Sequence, residues 1–271
     1  MNDEKHLSLL EKTASVKRRF LTMYKNANAG HVGSSLSVAE VITYIKFDWM
    51  QESDELILSK GHAAAALYSV LAEEGVLSQA EIDTFYKNGT LLAAHPPFNK
   101  IKKIPFATGS LGHGLSLSAG LALAGKFKKN SKKIFCICSD GELNEGSIWE
   151  AAMFIKHHNL SNLVWLIDRN RFQGYGNTED VMMLEPLLDK LKAFGFNALE
   201  VNGHDFIALE EIKNKTQQSA IPTAIICNTI KGNGWKGKEE TVDCHYLPMN
   251  DEQYKAIMDS LQNITIPSKT R

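Results

Sequence analysis

Cysteine is scarce in this chain. Four occur in 271 residues, Cys136, Cys138, Cys227 and Cys244, and no pair has the spacing of a zinc site. Cys136 and Cys138 lie two apart in a strand pattern, so both face one side and read as small core residues of a reducing, cytoplasmic protein. Net charge is also nearly absent, at −1, which removes the electrostatic case for nucleic acid or an anionic membrane as partner. No uninterrupted apolar stretch reaches the roughly 18 residues that span a bilayer. The segment from Met1 to Phe20 is charged and has no apolar signal core. Internal repeats and low-complexity linkers are missing too. Proline is thinly spread, and three of the seven fall between Leu91 and Pro105, which reads as loop.

What is present is a substantial apolar fraction, 44%, arranged as alternating helix and strand patterns. Leu7, Leu10, Ala14, Leu21 and Tyr24 recur at helical spacing, predicting an amphipathic helix over 4–27. A loop, Ala29 to Ser35, leads to a second helix from about Val38. Leu56 to Ser59 reads as a short strand, and Gly61-His62 opens an alanine-rich helix. Gly112 to Phe127 is a helix of small residues suited to close packing on a sheet. Four strands follow, Ile134–Ser139, Leu163–Asp168, Asn197–Val201 and Ala224–Thr229, separated by helices near 144–158, 185–194 and 206–218. Residues 232–248 read as a long loop, and a last helix over about 250–262 precedes a polar tail. Strands apolar on both faces, alternating with helices, predict an α/β fold with one parallel sheet covered on both sides. The whole chain, 1–271, reads as a single domain. Ligands in such folds sit beyond the carboxyl ends of the strands.

The chemistry concentrates there. Asp140-Gly141 follows one apolar strand, and Asp168-Arg169-Asn170 ends the next. Magnesium takes six oxygens and is commonly shared with phosphates. Asp140 can supply a carboxylate oxygen, Asn170 an amide oxygen, and a carbonyl just beyond it, that of Phe172, a third. Two diphosphate oxygens and a water complete the shell. Gly141 lets backbone approach the phosphate, and the next helix can aim its amino-terminal N–H groups at the anion. A calcium loop over Asp168 to Glu179 is excluded, because Phe172 and Gln173 stand where an acid or amide and a glycine are required. Gly232 to Gly237 fits a dinucleotide fingerprint literally, but the polar loop after it lacks the helix that motif needs. Most of the nine histidines fall in predicted turns, and imidazole titrates near neutral pH, which suits it to proton transfer. His157 and His158 read as surface residues at a helix end; His6 and His204 have no assigned role.

The run Asp140-Gly141-Glu142-Leu143-Asn144-Glu145-Gly146-Ser147-Ile148-Trp149-Glu150-Ala151 resembles that of transketolases, in particular the amino-terminal subunit of split transketolases. Gly30-His31, Lys60-Gly61-His62, Thr108 to Gly112, and Lys231-Gly232 followed by His245 extend the resemblance over nearly the whole chain. Ser139 stands where the family's signature has glycine, and Val32 where it has proline; neither change removes a ligand. The resemblance implies thiamine diphosphate and magnesium as cofactors. It implies that His62 contacts the diphosphate, that His31 and His95 contact the sugar's hydroxyl and carbonyl groups, and that His245 reaches both. Gly109, Ser110 and Leu111 would line the pyrimidine ring, with His113 beside them. Asp140, Gly141, Glu142 and Asn170 would face the cofactor. Glu145 would join an acidic network at a subunit interface or compensate its helix terminus.

The family's pyrimidine-activating glutamate and most of its sugar-phosphate arginines lie in a second, carboxyl-terminal domain. The resemblance therefore implies a separate carboxyl-terminal partner chain, an assembly of two chains of each kind, and no activity alone. The reaction implied is transfer of a two-carbon ketol unit from a ketose to an aldose, usually phosphorylated. The alternatives are the alpha chain of a 2-oxo acid dehydrogenase, a deoxyxylulose-phosphate synthase and a non-catalytic cofactor-binding paralogue.

Overall fold

The computed structural model describes residues 2–262. In chain order the elements are α1 (Asn2–Ala27), α2 (Val32–Tyr44), β1 (Glu55–Leu58), α3 (Ala64–Glu73), α4 (Gln79–Ile82), α5 (Gly114–Phe127), β2 (Ile134–Ser139), α6 (Gly146–His157), β3 (Leu163–Arg169), the short strands β4 (Phe172–Gln173) and β5 (Gly176–Asn177), α7 (Thr178–Val181), α8 (Leu187–Ala193), β6 (Asn197–Asn202), α9 (Phe206–Gln217), β7 (Thr223–Asn228), α10 (Asp243–Tyr246) and α11 (Asp251–Ser260). Five strands form one parallel sheet in the order β1-β2-β3-β7-β6.

Strand pleating explains why both faces are covered. Successive side chains point to opposite sides, and here each set is apolar. Phe135, Ile137, Val164, Leu166 and Ile225 join the core under α1, α2, α3 and α9. Ile134, Cys136, Cys138, Leu163, Trp165, Ile167 and Ile226 join a second core under α5, α6 and α8. Each such side chain contributes about 1.5–3 kcal/mol on burial, so β2 and β3, buried along their whole length, are the anchor strands. All four cysteines are buried and free, as core residues should be.

The carboxyl ends of the strands are level: Ser139 pairs with Asp168, Asp168 with Cys227, and Cys227 with Val201. The chain leaving β3 reaches α8 on one face. The chain leaving β7 passes Trp235 and Cys244, which pack on the other. This divergence opens a crevice at the β3 and β7 tips, where ligands of doubly covered sheets bind. Among the described residues no helix is long and apolar enough to cross a membrane.

Two helix starts differ most from the sequence reading, and a short helix, α10, lies inside the predicted loop 232–248. α2 begins at Val32, not near Val38. Gly33, Ser34, Ser35 and Ser37 look like loop, yet all are buried. A Cβ on Gly33 would sit 2.5 Å from the Cys244 sulfur, so the small residues serve close packing. Likewise α6 starts at Gly146, and Gly141–Asn144 forms a separate 3₁₀ turn. The terminal helix is Asp251–Ser260, and the polar tail, 263–271, lies outside the described residues.

One tie holds the sheet edge to the layer above it. Asp168, at the end of β3, pairs with Lys60 from the turn after β1, and both side chains are completely buried. Asp168 also accepts from Ser37 of α2 (2.6 Å), from Thr229 beyond β7, and from the Asn170 amide (3.2 Å). Lys60 donates to the Ser34 carbonyl at 3.0 Å. Burial opposes ionisation of Asp168, and Lys60, Ser37 and Thr229 outweigh it, holding the carboxyl below its usual range. Removing one partner of such a pair strands a buried charge and costs about 3–5 kcal/mol. Lys60→Met should therefore lower the urea-unfolding free energy by about that much, and adding Asp168→Asn should recover part of the loss. Additive losses in the double-mutant cycle would mean that the pair is not coupled.

Candidate active site

Asp140 is delivered by the end of β2 and is 1% exposed. Its Oδ2 accepts the Arg171 N–H at 2.6 Å and lies 3.3 Å from the Thr178 hydroxyl; its Oδ1 accepts the Gly141 N–H at 2.8 Å. Asn170, equally buried, accepts the Phe172 N–H at 3.1 Å through Oδ1. The Asp140 carboxylate thus meets the turn 170–172, which carries the Asn170 carboxamide and the Phe172 carbonyl and has Arg171 in the left-handed region at φ 66°. Gly141 is required for packing as well as approach: a Cβ there would meet the Gln173 Cβ at 2.8 Å. A 3₁₀ segment, Gly141–Asn144, stands between Asp140 and the amino terminus of α6.

Lys231 joins this turn to the histidines. Its ammonium, on a residue 1% exposed, donates to the Phe172 carbonyl at 3.3 Å and lies 3.2 Å from His245 Nδ1. The four motif histidines come from four separate segments and converge. Ring centroids of His31 lie 5.6 Å from His62, 6.3 Å from His95 and 5.1 Å from His245, and those of His62 and His245 are 5.6 Å apart. His31 occupies the left-handed region at φ 71°, and its N–H donates to the His245 carbonyl at 2.8 Å. Such a conformation in a non-glycine residue is held by its surroundings. A cavity of about 210 Å³ opens beside the cluster, lined by Tyr24, Gly30, His31, His62, Ala94 and Tyr246.

Of the 109–111 turn, Gly109 packs on His95, whose Cδ2 would lie 2.8 Å from any added Cβ; Leu111 is half-buried and Ser110 exposed. Glu142 departs from expectation. Its carboxylate is buried inside the protein, accepting from Ser59, from the Gly112 N–H (2.9 Å) and from the Ser139 N–H (3.2 Å). Both of its oxygens are engaged within the protein, and it anchors the 109–112 turn. His113 and Glu145 are exposed. Sequence reasoning passed over Lys60, Lys231 and Asp168 as actors. Both lysines precede motif glycines, but their burial is a property of the fold.

The electrostatics are uniform. Burial, reinforced by neighbouring cations, lowers His31 to about 4 and His245 to about 3, and carries His62 and His95 down as well. The cluster is neutral at physiological pH, able to accept and donate at different ring nitrogens. Burial also lowers Lys231 to about 8. Asp140 moves the other way: burial and the Asp168 carboxylate push it up to about 6. A carboxylate in that state is stabilised by a cation beside it. With an amide and a carbonyl oxygen on the same turn, the donor set fits a hard divalent ion. Among the described residues no group of three or more His, Cys, Asp or Glu gathers as a metal site, and this donor set needs only one acid. Ser34 Oγ is buried and has no hydrogen-bond partner among the described residues.

These shifts set a sign. The unfolded chain takes up protons on its histidines near pH 6.5, whereas folded His31 and His245 resist until about 4 and 3. Unfolding therefore binds protons in that window, and acidification through it removes stability. Asp140, raised when folded, works in the opposite direction. The fall in Tm between pH 7.5 and 5 should be smaller in His31→Gln/His245→Gln than in the wild type; an equal fall would contradict these assignments.

The family model described as transketolase, thiamine diphosphate binding domain, matches residues 11–264. The chain is 35% identical over 272 residues to the 6-deoxy-6-sulfo-D-fructose transketolase subunit SqwG of Clostridium sp. (strain MSTE9), covering 96% of this chain and 98% of that one. It is 37% identical over 249 residues to an apulose-4-phosphate transketolase subunit of Phocaeicola vulgatus, covering 88% of each. The crystal structure of transketolase from Campylobacter jejuni superposes with a TM-score of 0.89 at 28% identity, over 95% of this chain but 44% of that enzyme. The chain belongs to the transketolase family, as a bearer of its thiamine diphosphate binding domain.

Proposed function

We propose that this chain is the diphosphate-binding subunit of a two-chain transketolase, a single cofactor-binding domain that transfers a two-carbon ketol unit from a ketose to an aldose only with a second chain. One observation carries the reading: four histidines from separate segments cluster, and the Lys231 ammonium links one of them, His245, to the Phe172 carbonyl of the turn that meets Asp140. The relatives' names support it, since two of them are subunits of sugar transketolases. The 2-oxo acid dehydrogenase and deoxyxylulose-phosphate synthase alternatives find no support in these likenesses.

In this reading magnesium sits among Asp140, Asn170 and the Phe172 carbonyl. His62, Gly109, Ser110, Leu111, Gly141 and His245 contribute to the cofactor's surroundings, and Lys60 and Lys231 set a positive potential toward its diphosphate. Thiamine diphosphate, when bound, would supply the chemistry that lets sugar carbon–carbon bonds be broken and formed. The protein's own part is orientation and proton handling. His31, His95 and His245, held neutral by burial, exchange protons with the sugar's hydroxyl and carbonyl oxygens. The partner contributes the glutamate that activates the pyrimidine. Two copies of each chain make the assembly, placed in the cytoplasm.

Calorimetric titration of the chain with thiamine diphosphate should show binding that requires magnesium and is abolished by chelation. Asp140→Asn and Asn170→Ala should each weaken it by more than about 100-fold, exceeding the usual effect of residues behind the ligands. Mixing the wild-type chain with the partner chain, cofactor and magnesium should restore ketol transfer that neither performs alone. Turnover by the isolated chain would overturn the two-chain reading, and magnesium-dependent binding that survives Asp140→Asn would overturn the ligand assignment.

A further inference from the structure

His204 belongs to no motif, yet it sits at the end of a buried polar chain. Lys17 of α1 donates to Glu40 Oε1 of α2 at 2.5 Å. Glu40 Oε2 lies 2.9 Å from His204 Nδ1, in the turn between β6 and α9. His204 Nε2 accepts the Ile230 N–H at 2.9 Å. That acceptor role leaves the ring proton on Nδ1, facing the carboxylate. The Asn202 Oδ1 takes the His204 backbone N–H at 3.0 Å and fixes the turn that carries the ring. Lys17 and Glu40 are 7% and 8% exposed.

Ile230 is the residue before Lys231. The amide caught by His204 therefore lies next to the residue whose ammonium reaches the Phe172 carbonyl and His245. We propose that Glu40 and His204 are positioning residues that clamp the Ile230 amide and thereby fix Lys231 and the loop carrying His245. The geometry favours this over a packing role alone. A carboxylate fixed by a lysine orients the imidazole, and the imidazole spends its remaining nitrogen on one backbone N–H of the active-site loop rather than on the core. His204 touches none of the residues assigned to the cofactor, so it acts through the loop. The consequence for cofactor affinity rests on the proposed function; the consequence for loop order does not.

The test uses the full chain with His204→Phe, which keeps the ring and removes the acceptor, and His204→Gln, whose carbonyl can accept from the Ile230 N–H. Hydrogen–deuterium exchange read by mass spectrometry should be about tenfold faster across 230–246 in His204→Phe, as expected for one lost hydrogen bond. Exchange in α1 and α2 should be unchanged. Thiamine diphosphate with magnesium should bind about tenfold more weakly, and His204→Gln should restore both. Should the phenylalanine variant not fold, His204→Ala takes the same measurements. Unchanged exchange over 230–246, or equal acceleration in α1 and α2, would overturn the proposal. If exchange responds as expected but the wild-type chain binds no cofactor, the clamp stands and the functional reading fails.

Discussion

A single buried charge organises this protein. Asp168 ends the central strand with its side chain fully out of water, and an isolated carboxylate there would cost several kcal/mol. The chain meets that requirement with Lys60, and the requirement spreads. Lys60 must leave β1 in the particular turn that also presents His62. Ser37 must face the same carboxylate, which sets the rotation of α2 and hence the left-handed entry at His31. Thr229 must close from the far side, which directs the chain toward Ile230 and Lys231. Three loops of the site are thus fixed by one acid that is itself not a ligand. A constellation of side chains needs such a shell of supporting partners to hold its geometry.

Charge around the crevice is unequal. Two lysines are nearly or completely buried within reach of the 168–172 segment, and four histidines beside them are kept neutral by burial. Asp140 is the acid of this crevice pushed toward its protonated form. Lys60 is paired with Asp168, so the crevice favours a ligand that brings a cation to Asp140 and negative charge to Lys231. Neutral imidazoles add a second property: a neutral ring has one donor and one acceptor nitrogen and adds no repulsion to the lysines, although in His245 the Nδ1 acceptor already faces the Lys231 ammonium.

Much of this was legible in the sequence. The type of the sheet's strands followed from runs apolar on both faces, and Asp140 and Asn170 announced themselves by lying just past strands; the four histidines were marked by the family resemblance, and only His31 and His62 stand beside glycines. The rest was hidden for identifiable reasons. The first turn of α2 is made of glycine and serine, which have weak helix propensity and are recruited because larger side chains would collide with Cys244. Lys60 and Lys231 look like surface residues, since burying a lysine depends on a partner distant in sequence. Glu142 looks like a ligand because it adjoins Asp140, but the 3₁₀ turn rotates it inward to Ser59 and Gly112. Neighbourhood in sequence is poor evidence of shared direction wherever the backbone leaves regular structure. His204 shows the converse, a residue with no motif whose position is set wholly by long-range hydrogen bonds.

Pocket size bears on how such a site could be completed. Cavities that enclose a ligand of cofactor size usually measure about 300–1,000 Å³ and bury most of the ligand's surface. The cavity beside the histidines is about 210 Å³, and its surroundings include the exposed rings of Tyr86 and Tyr246, at 55% and 53%. Ser110 and His113, on the turn anchored by Glu142, also face outward. The polar end of the site, by contrast, is already dry: Asp140, Asn170, Lys60 and Lys231 are all buried without help. One half of a ligand's environment is therefore preorganised within this chain, while the other half has only one wall. Catalysis that depends on excluding water needs both, so a second protein surface laid over the tyrosine side would do most where this chain does least.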